Sequence, residues 1–231
     1  MTERDIIVIQ NTRVFMPSEY IKLRKAMVDE NKALVDDYRQ QLAEYATPEK
    51  YKELQSKINR LMKYPLMCDF LLHTGMRLVE AKDIKPDMYR ASRRVIAGVS
   101  CAKVKCKASQ RTVMLSMPGC DAVEAWLASG LEIPVQTTKD GKTRAGSTTI
   151  GLTLKRYADV SGIGSDYVTG KSFRKTLASL LMACYPEREM YIAASMGHDR
   201  TTLQKHYLGL GFPRAEIDLA REMLKGWGAA V

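Results

Sequence analysis

Apolar residues recur along most of the chain at helical spacing, so the pattern predicts a mainly α-helical protein. A short strand-like run, Ile6 to Ile9, comes first, and Val14 through Pro17 to Tyr20 reads as the entry to a helix carrying Leu23 and Met27 on one face. Residues 29–63 are dense in charge. Within them Leu34, Tyr38, Leu42 and Tyr45 share one helical face, and Tyr51, Leu54, Ile58 and Leu61 share another after a Thr47-Pro48 helix start. The expectation there is a charged helical hairpin. Pro65 opens a strongly apolar helix (Leu66, Met67, Phe70, Leu71, Leu72) that Gly75 ends, and a new helix begins at Met76 with Arg77 at the elbow. Over 92–116 the pattern turns to strands, at Arg94–Val99, Ala102–Cys106 and Arg111–Leu115, a small three-stranded antiparallel β-sheet. A helix follows from Gly119 to Ser129 with Val123, Trp126 and Leu127 inward. Asp140-Gly141 marks a turn, and Ser147 or Thr148 caps a helix through Val160. After Gly162 and Gly164 comes a buried helix with Leu177, Leu180, Leu181 and Met182, a break at Pro186, and a second helix, Glu187 to Ser195, closed by Gly197. From Pro213 a last amphipathic helix places Ile217, Ala220, Met223 and Leu224 in a stripe that Trp227 ends.

Length and composition add a partner class. The chain has 231 residues, 45% of them hydrophobic, enough for one sizeable core, and a net charge of +10. Such a balance favours nucleic acid or another acidic surface. The five cysteines (68, 101, 106, 120 and 184) form no CxxC pair, and with three histidines no zinc pattern emerges. Scattered thiols suit a reducing, cytoplasmic setting. The opening MTERDIIVIQ is too charged for a signal peptide, and no stretch reaches the ~18 apolar residues of a membrane helix. Gly141-Lys142-Thr143 has the look of a phosphate-loop tail, but the required glycine at 136 is Gln136, which removes nucleotide binding.

The candidate chemistry lies between Lys171 and Tyr207. Lys171-Ser172-Phe173-Arg174 opens the buried helix, Met196-Gly197-His198 closes the second, and Tyr207 follows nine residues after His198. A tyrosine exposed behind such a constellation suggests a nucleophile. On a phosphodiester, Tyr207 would attack. Arg77 and Arg174 would neutralise the nonbridging oxygens, to which guanidinium forks are matched, and His198 would hydrogen-bond one of them. No carboxylate cluster stands beside these residues, so no divalent metal is implied. A phosphotyrosine ester keeps the energy of the broken bond, so rejoining needs no ATP. No cofactor is expected.

This ordered set resembles the tyrosine recombinases, the phage-integrase family. Thr74-Gly75-Met76-Arg77-Leu78-Val79-Glu80 resembles the family's first-arginine box, and Lys171 through Arg174, Gly197-His198 and Tyr207 resemble its C-terminal signature. The resemblance implies the family's catalytic fold over residues 14 to about 212, behind an extension of residues 1–13. It implies a site-specific recombinase, integrase-like, that cleaves and rejoins double-stranded DNA through a 3′-phosphotyrosyl intermediate. It implies a catalytic lysine on the last turn of the small sheet: Lys107, four residues before Arg111, with Lys103 and Lys105 as alternatives. The family has His where this chain has Lys171. Lysine is protonated at neutral pH (pKa ~10.4) and would add charge at the phosphate, which leaves the acceptor of the Tyr207 proton open. The resemblance also implies self-association into a tetramer on DNA, with the helix of 213–227 either docked on a neighbouring protomer or folded back on its own core. The family commonly carries an N-terminal clamp domain where only 13 residues precede the match here, so the chain is either a fragment or a minimal enzyme with a weaker grip. The same chemistry would serve a type IB topoisomerase or a telomere resolvase, and the same fold a catalytically silent DNA-binding protein.

Overall fold

The structure is a computed structural model that describes residues 6–44, 47–100, 110–137, 143–145 and 147–228. The chain opens with a hairpin, β1 (Ile7–Ile9) against β2 (Thr12–Val14), turned by Gln10 and Asn11 at positive φ. Two left-handed residues in a row give the turn that matches strand twist. Helix α1 (Pro17–Asp29) starts on proline, and the Glu19 carboxylate accepts from the Met16 amide at 3.0 Å and from Arg13 at 2.6 Å. Its inward face is Tyr20, Leu23 and Met27. Helices α2 (Lys32–Glu44) and α3 (Pro48–Leu61) pack on each other, as the charged hairpin predicts, and the Thr47 hydroxyl caps α3. The buried α2 position is Val35, while Leu34 is exposed. Val35, Tyr38 and Leu42, spaced three and four, form the inward face, and of the expected positions among the described residues Leu34 alone falls outside it.

Helix α4 (Lys63–Thr74) lies in the core and stops at Gly75, in the left-handed conformation (φ +59°). Helix α5 (Leu78–Ala81) is a single turn. The three-stranded antiparallel sheet is β3 (Tyr89–Arg90), β4 (Val95–Ser100) and β5 (Gln110–Met114), in that order. It differs in composition from the sheet expected. The first and third expected strands pair directly, Ser100 opposite Gln110, and Tyr89–Arg90 supplies the third. The expected strand at Ala102–Cys106 lies outside the described residues.

Helix α6 (Met117–Ser129) is capped by the Ser116 hydroxyl, and β6 (Val135–Thr137) pairs with β7 (Thr143–Ala145), while the expected turn at Asp140-Gly141 lies outside the described residues. Helix α7 (Ser147–Val160) buries Ile150, Leu154 and Tyr157 as its spacing predicts.

Helix α8 (Ser172–Cys184) is the central element: every residue from Ser172 to Met182 is buried, and it packs on α4, β2 and the elements that follow. Those are α9 (Glu189–Met196), α10 (Arg200–Tyr207) and α11 (Arg214–Met223). Two apolar clusters result. One centres on α1, α4, the sheet, α6 and α7, and the other on the inner face of α8 with α9, α10 and α11.

Of the two expected placements of the last helix, this chain adopts the folded-back one. Ala220, Leu224 and Trp227 are buried in the chain's own second cluster, and the Trp227 indole donates to the Met114 carbonyl at 3.2 Å. The Met117 amide donates to the Lys225 carbonyl at 2.8 Å, which clips the segment after α11 to the start of α6. The inner residues of the stripe pack with the apolar face of α8, and Met114 of β5 lies against the same cluster. Among the described residues no helix is long and apolar enough to cross a membrane.

Candidate active site

The site grows from three helix ends that meet. Helix α4 ends at Gly75 and α9 ends at Gly197, both in the left-handed conformation, and α8 begins beside them. Gly75 is required twice over: its φ is +59°, and a Cβ there would stand 2.8 Å from the Met196 thioether and 2.9 Å from a Leu177 methyl.

Arg174, in the first turn of α8, is buried. Its guanidinium donates to the Gly75 carbonyl at 2.7 Å and to the Met196 carbonyl. These oxygens close two helices, where the peptide dipoles gather negative partial charge. The cation is thereby held without a carboxylate of its own, so its charge stays available to a ligand. Burial first, then the nearby Arg77 and Arg111, push its pKa down to about 9, with Glu80 and Tyr207 acting the other way. It remains a cation at neutral pH.

Arg77 leads into α5 and is 40% exposed in its side chain, pointing charge toward solvent. The Glu80 carboxylate, buried, accepts from the Arg77 amide at 2.8 Å and from its guanidinium at 2.8 Å. Arg111 of β5 grips the same carboxylate through two bonds, 2.8 and 2.7 Å, and donates its Nε to the Ser195 carbonyl at 2.9 Å. Burial works against the Glu80 charge, but the hydrogen bonds and charge of Arg111 and the bonds from Arg77 outweigh it and hold its pKa at about 2. Three guanidinium groups around one carboxylate leave the cluster with a surplus of positive charge.

His198 sits between α9 and α10. Its amide donates to the Ala193 carbonyl at 3.0 Å, and Asp199 next to it caps α10 through the Thr202 amide at 2.6 Å. Burial, then Arg174, Arg77 and Arg111, push the imidazole pKa down to about 3, so the ring is neutral. Its buried Nδ1 finds no partner among the described residues.

Tyr207 closes α10, and its ring stacks on His198 with centroids 5.8 Å apart and planes 12° from parallel. The exposed tyrosine expected from the sequence is a buried one, 5% accessible. The reason is local. Leu203 and Tyr207 are four apart on α10, and both turn into the second cluster. Burial raises the phenol pKa, against the lowering pull of Arg174 and Arg77.

The structure therefore brings four of the sequence-predicted residues, Arg77, Arg174, His198 and Tyr207, into one cluster. Lys171 is exposed at the N-terminal boundary of α8, one turn before Arg174. Lys107 and its alternatives Lys103 and Lys105 lie outside the described residues. Two members are not singled out by the sequence reading. Glu80 enters there only as part of the arginine box, and Arg111 only as the opener of a strand. The legible signal was the strand period: Arg111 shares a face with Val113 and Leu115, both buried, so its side chain had to turn inward and find an anion.

Comparison with solved structures finds this architecture in, among others, two recombinases and a transposon integrase. The XerA recombinase superposes with a TM-score of 0.53 at 15% identity, covering 96% of this chain and 66% of that one. The XerH site-specific recombinase, bound to difH substrate in a pre-cleavage complex, gives 0.51 at 14%, covering 90% and 53%. The Tn1549 transposon integrase, in complex with circular intermediate DNA, gives 0.50 at 16%, covering 77% and 66%. The chain thus spans between about half and two thirds of the length of these proteins. No protein-family model matches the sequence, and no curated protein matches it. The chain has the catalytic fold of the tyrosine recombinases, mostly helical with small antiparallel sheets.

Proposed function

We propose that this chain is the strand-transfer domain of a site-specific DNA recombinase, integrase-like, acting in the cytoplasm on double-stranded DNA. The observation that carries the reading is the convergence of Arg77, Arg174, His198 and Tyr207, from four separate segments, around a buried cluster with surplus positive charge. A scissile phosphate fits there by charge. Arg174 offers a cation neutralised by no carboxylate of its own, and Arg77 offers the guanidinium edge that Glu80 does not take.

The Tyr207 oxygen attacks phosphorus, the bond to the 5′-oxygen breaks, and the DNA 3′-phosphate stays on the tyrosine. The 5′-oxygen leaves with a proton from an acid, the role we assign to Lys107. The Tyr207 proton passes to solvent water as the phosphorus–oxygen bond forms, and Arg174 and Arg77 stabilise the charge that develops. Neutral His198 donates to a nonbridging oxygen, and the bound phosphate offsets the cations that hold its pKa low. Lys171 adds long-range charge toward the DNA. Reversal of the same steps by a different 5′-hydroxyl completes the exchange, and tetrameric assembly on paired sites supplies that second strand.

The test works whatever DNA site is recognised. Purified protein is incubated with a pool of nicked duplexes of randomised sequence, in which cleavage releases a short strand and traps the adduct. Detergent-stable complexes are then selected and sequenced. The reading predicts enrichment of a defined sequence, with the 3′ end attached to protein and a free 5′-hydroxyl. A pool that yields no covalent complex contradicts it.

A further inference from the structure

Strand transfer as proposed leaves Arg111 without a role, yet no side chain in the site is more fully engaged. Its guanidinium makes two bonds to Glu80 and one to the Ser195 carbonyl, and Glu80 in turn holds both the amide and the guanidinium of Arg77. The side chain is 11% exposed, against 40% for Arg77. Its fork is turned to protein, while that of Arg77 is turned outward. The stem also lies against the end of α9: a Cβ on Gly197 would stand 3.0 Å from Arg111 Cδ. The Met114 amide donates to the Ser195 hydroxyl at 2.9 Å, so β5 is tied to the last turn of α9 at a second point. Gly197 and His198 follow directly from that turn.

We infer that Arg111 is a positioning residue for the strand-transfer site, resting on the function proposed above. Through Glu80 it fixes the direction of the Arg77 guanidinium, and through Ser195 it fixes the end of α9 that carries His198. It does not touch the phosphate. The bidentate geometry matters more than the charge, because a lysine ammonium cannot span both Glu80 oxygens and also reach the Ser195 carbonyl.

The experiment uses the duplex selected above and three proteins: wild type, Arg111→Lys and Arg111→Ala. Two quantities are measured, the single-turnover cleavage rate with all DNA bound and the dependence of DNA affinity on salt. The expected result is a fall in the bound-complex rate on the order of 10²-fold for both variants, the usual consequence of misplacing a catalytic group by about an ångström. The salt slope stays at the wild-type value, since a lost phosphate contact would lower it by about 0.9. Should Arg111→Ala fail to fold, Arg111→Lys carries the test, because it keeps a cation against Glu80. A cleavage rate for Arg111→Lys within twofold of wild type overturns the inference, and so does a slope lowered by about one, which would make Arg111 a phosphate ligand. A wild-type protein that forms no adduct contradicts the strand-transfer reading itself, an outcome separate from either of these.

Discussion

Gly75→Ala probes the link between fold and site at a single atom. At φ +59° an L-residue is disfavoured by about 1–2 kcal/mol. The new methyl would also stand 2.8 Å from the Met196 Sδ and Cε and 2.9 Å from Leu177 Cδ2. All three contacts are with side chains in a packed core, where added methyl groups cost about 1–3 kcal/mol. The Met196 thioether is the adaptable partner, so the lower part of that range applies and the total is about 2–3 kcal/mol. Gly130→Ala is the matched control. Gly130 also ends a helix in the left-handed conformation, φ +63°, but a Cβ there would meet nothing within 4 Å, so it loses only the backbone share, about 1–2 kcal/mol. The assay is urea unfolding at pH 7, paired with bound-complex cleavage. Because the Gly75 and Met196 carbonyls hold Arg174, Gly75→Ala should also slow cleavage on the order of 10²-fold, and Gly130→Ala should leave it unchanged. Equal stability losses, or wild-type cleavage by the Gly75 variant, refute the reasoning.

Three other outcomes are expected, the first from the proposed chemistry and the others from the packing. Lys107→Ala loses cleavage of ordinary DNA and recovers it on DNA with a bridging 5′-sulfur, whose thiolate leaves without a proton; no recovery moves the acid to Lys103 or Lys105. His198 is held at about 3 when folded, against an ordinary 6.5, so the unfolded chain takes up a proton first as pH falls. Its stability contribution is full above pH 6.5 and is lost toward pH 3, and Glu80, at about 2 against 4.5, adds a second loss below pH 4.5. Burial lowers the pKa of His73 as well, so the check is the difference from His198→Gln, whose profile should be shallower between pH 6.5 and 4.5; identical profiles refute the assignment. Trp227→Ala should lose about 3–5 kcal/mol of stability with no change in oligomeric state, because Trp227 packs on its own core; a loss below about 1 kcal/mol contradicts that placement.

What the sequence displayed was whatever period and punctuation encode. The apolar run of α8, the stops at Gly75 and Gly197 and the faces of α6 and α7 each follow from spacing and a terminal glycine. The gathering of Arg77, Arg174, His198 and Tyr207 was legible as an ordered set of motifs. The burial of Tyr207 was not, since a helix of eight residues shows only one apolar interval, Leu203 to Tyr207, and nothing local says which way it faces. The third strand was misplaced because Tyr89–Arg90 is two residues long, too short for alternation to register. The last helix reads as an amphipathic stripe in any case, and only its packing with the apolar face of α8 shows that it folds back. Arg111 was visible as a residue and hidden as a contact, for its carboxylate partner lies 31 positions away.

In the proposed strand transfer Tyr207 carries the DNA, and peptide mapping of the covalent adduct reads out that attachment. The adduct from the selected nicked duplex is digested, and the nucleotide-bearing peptide is located by mass spectrometry, for wild type and for Tyr207→Phe. The account predicts a wild-type adduct on the peptide containing Tyr207, and a Phe variant that binds the duplex with unchanged salt dependence and forms no adduct. An adduct that persists in Tyr207→Phe, or that maps to Tyr185, Tyr191 or any other tyrosine, contradicts it.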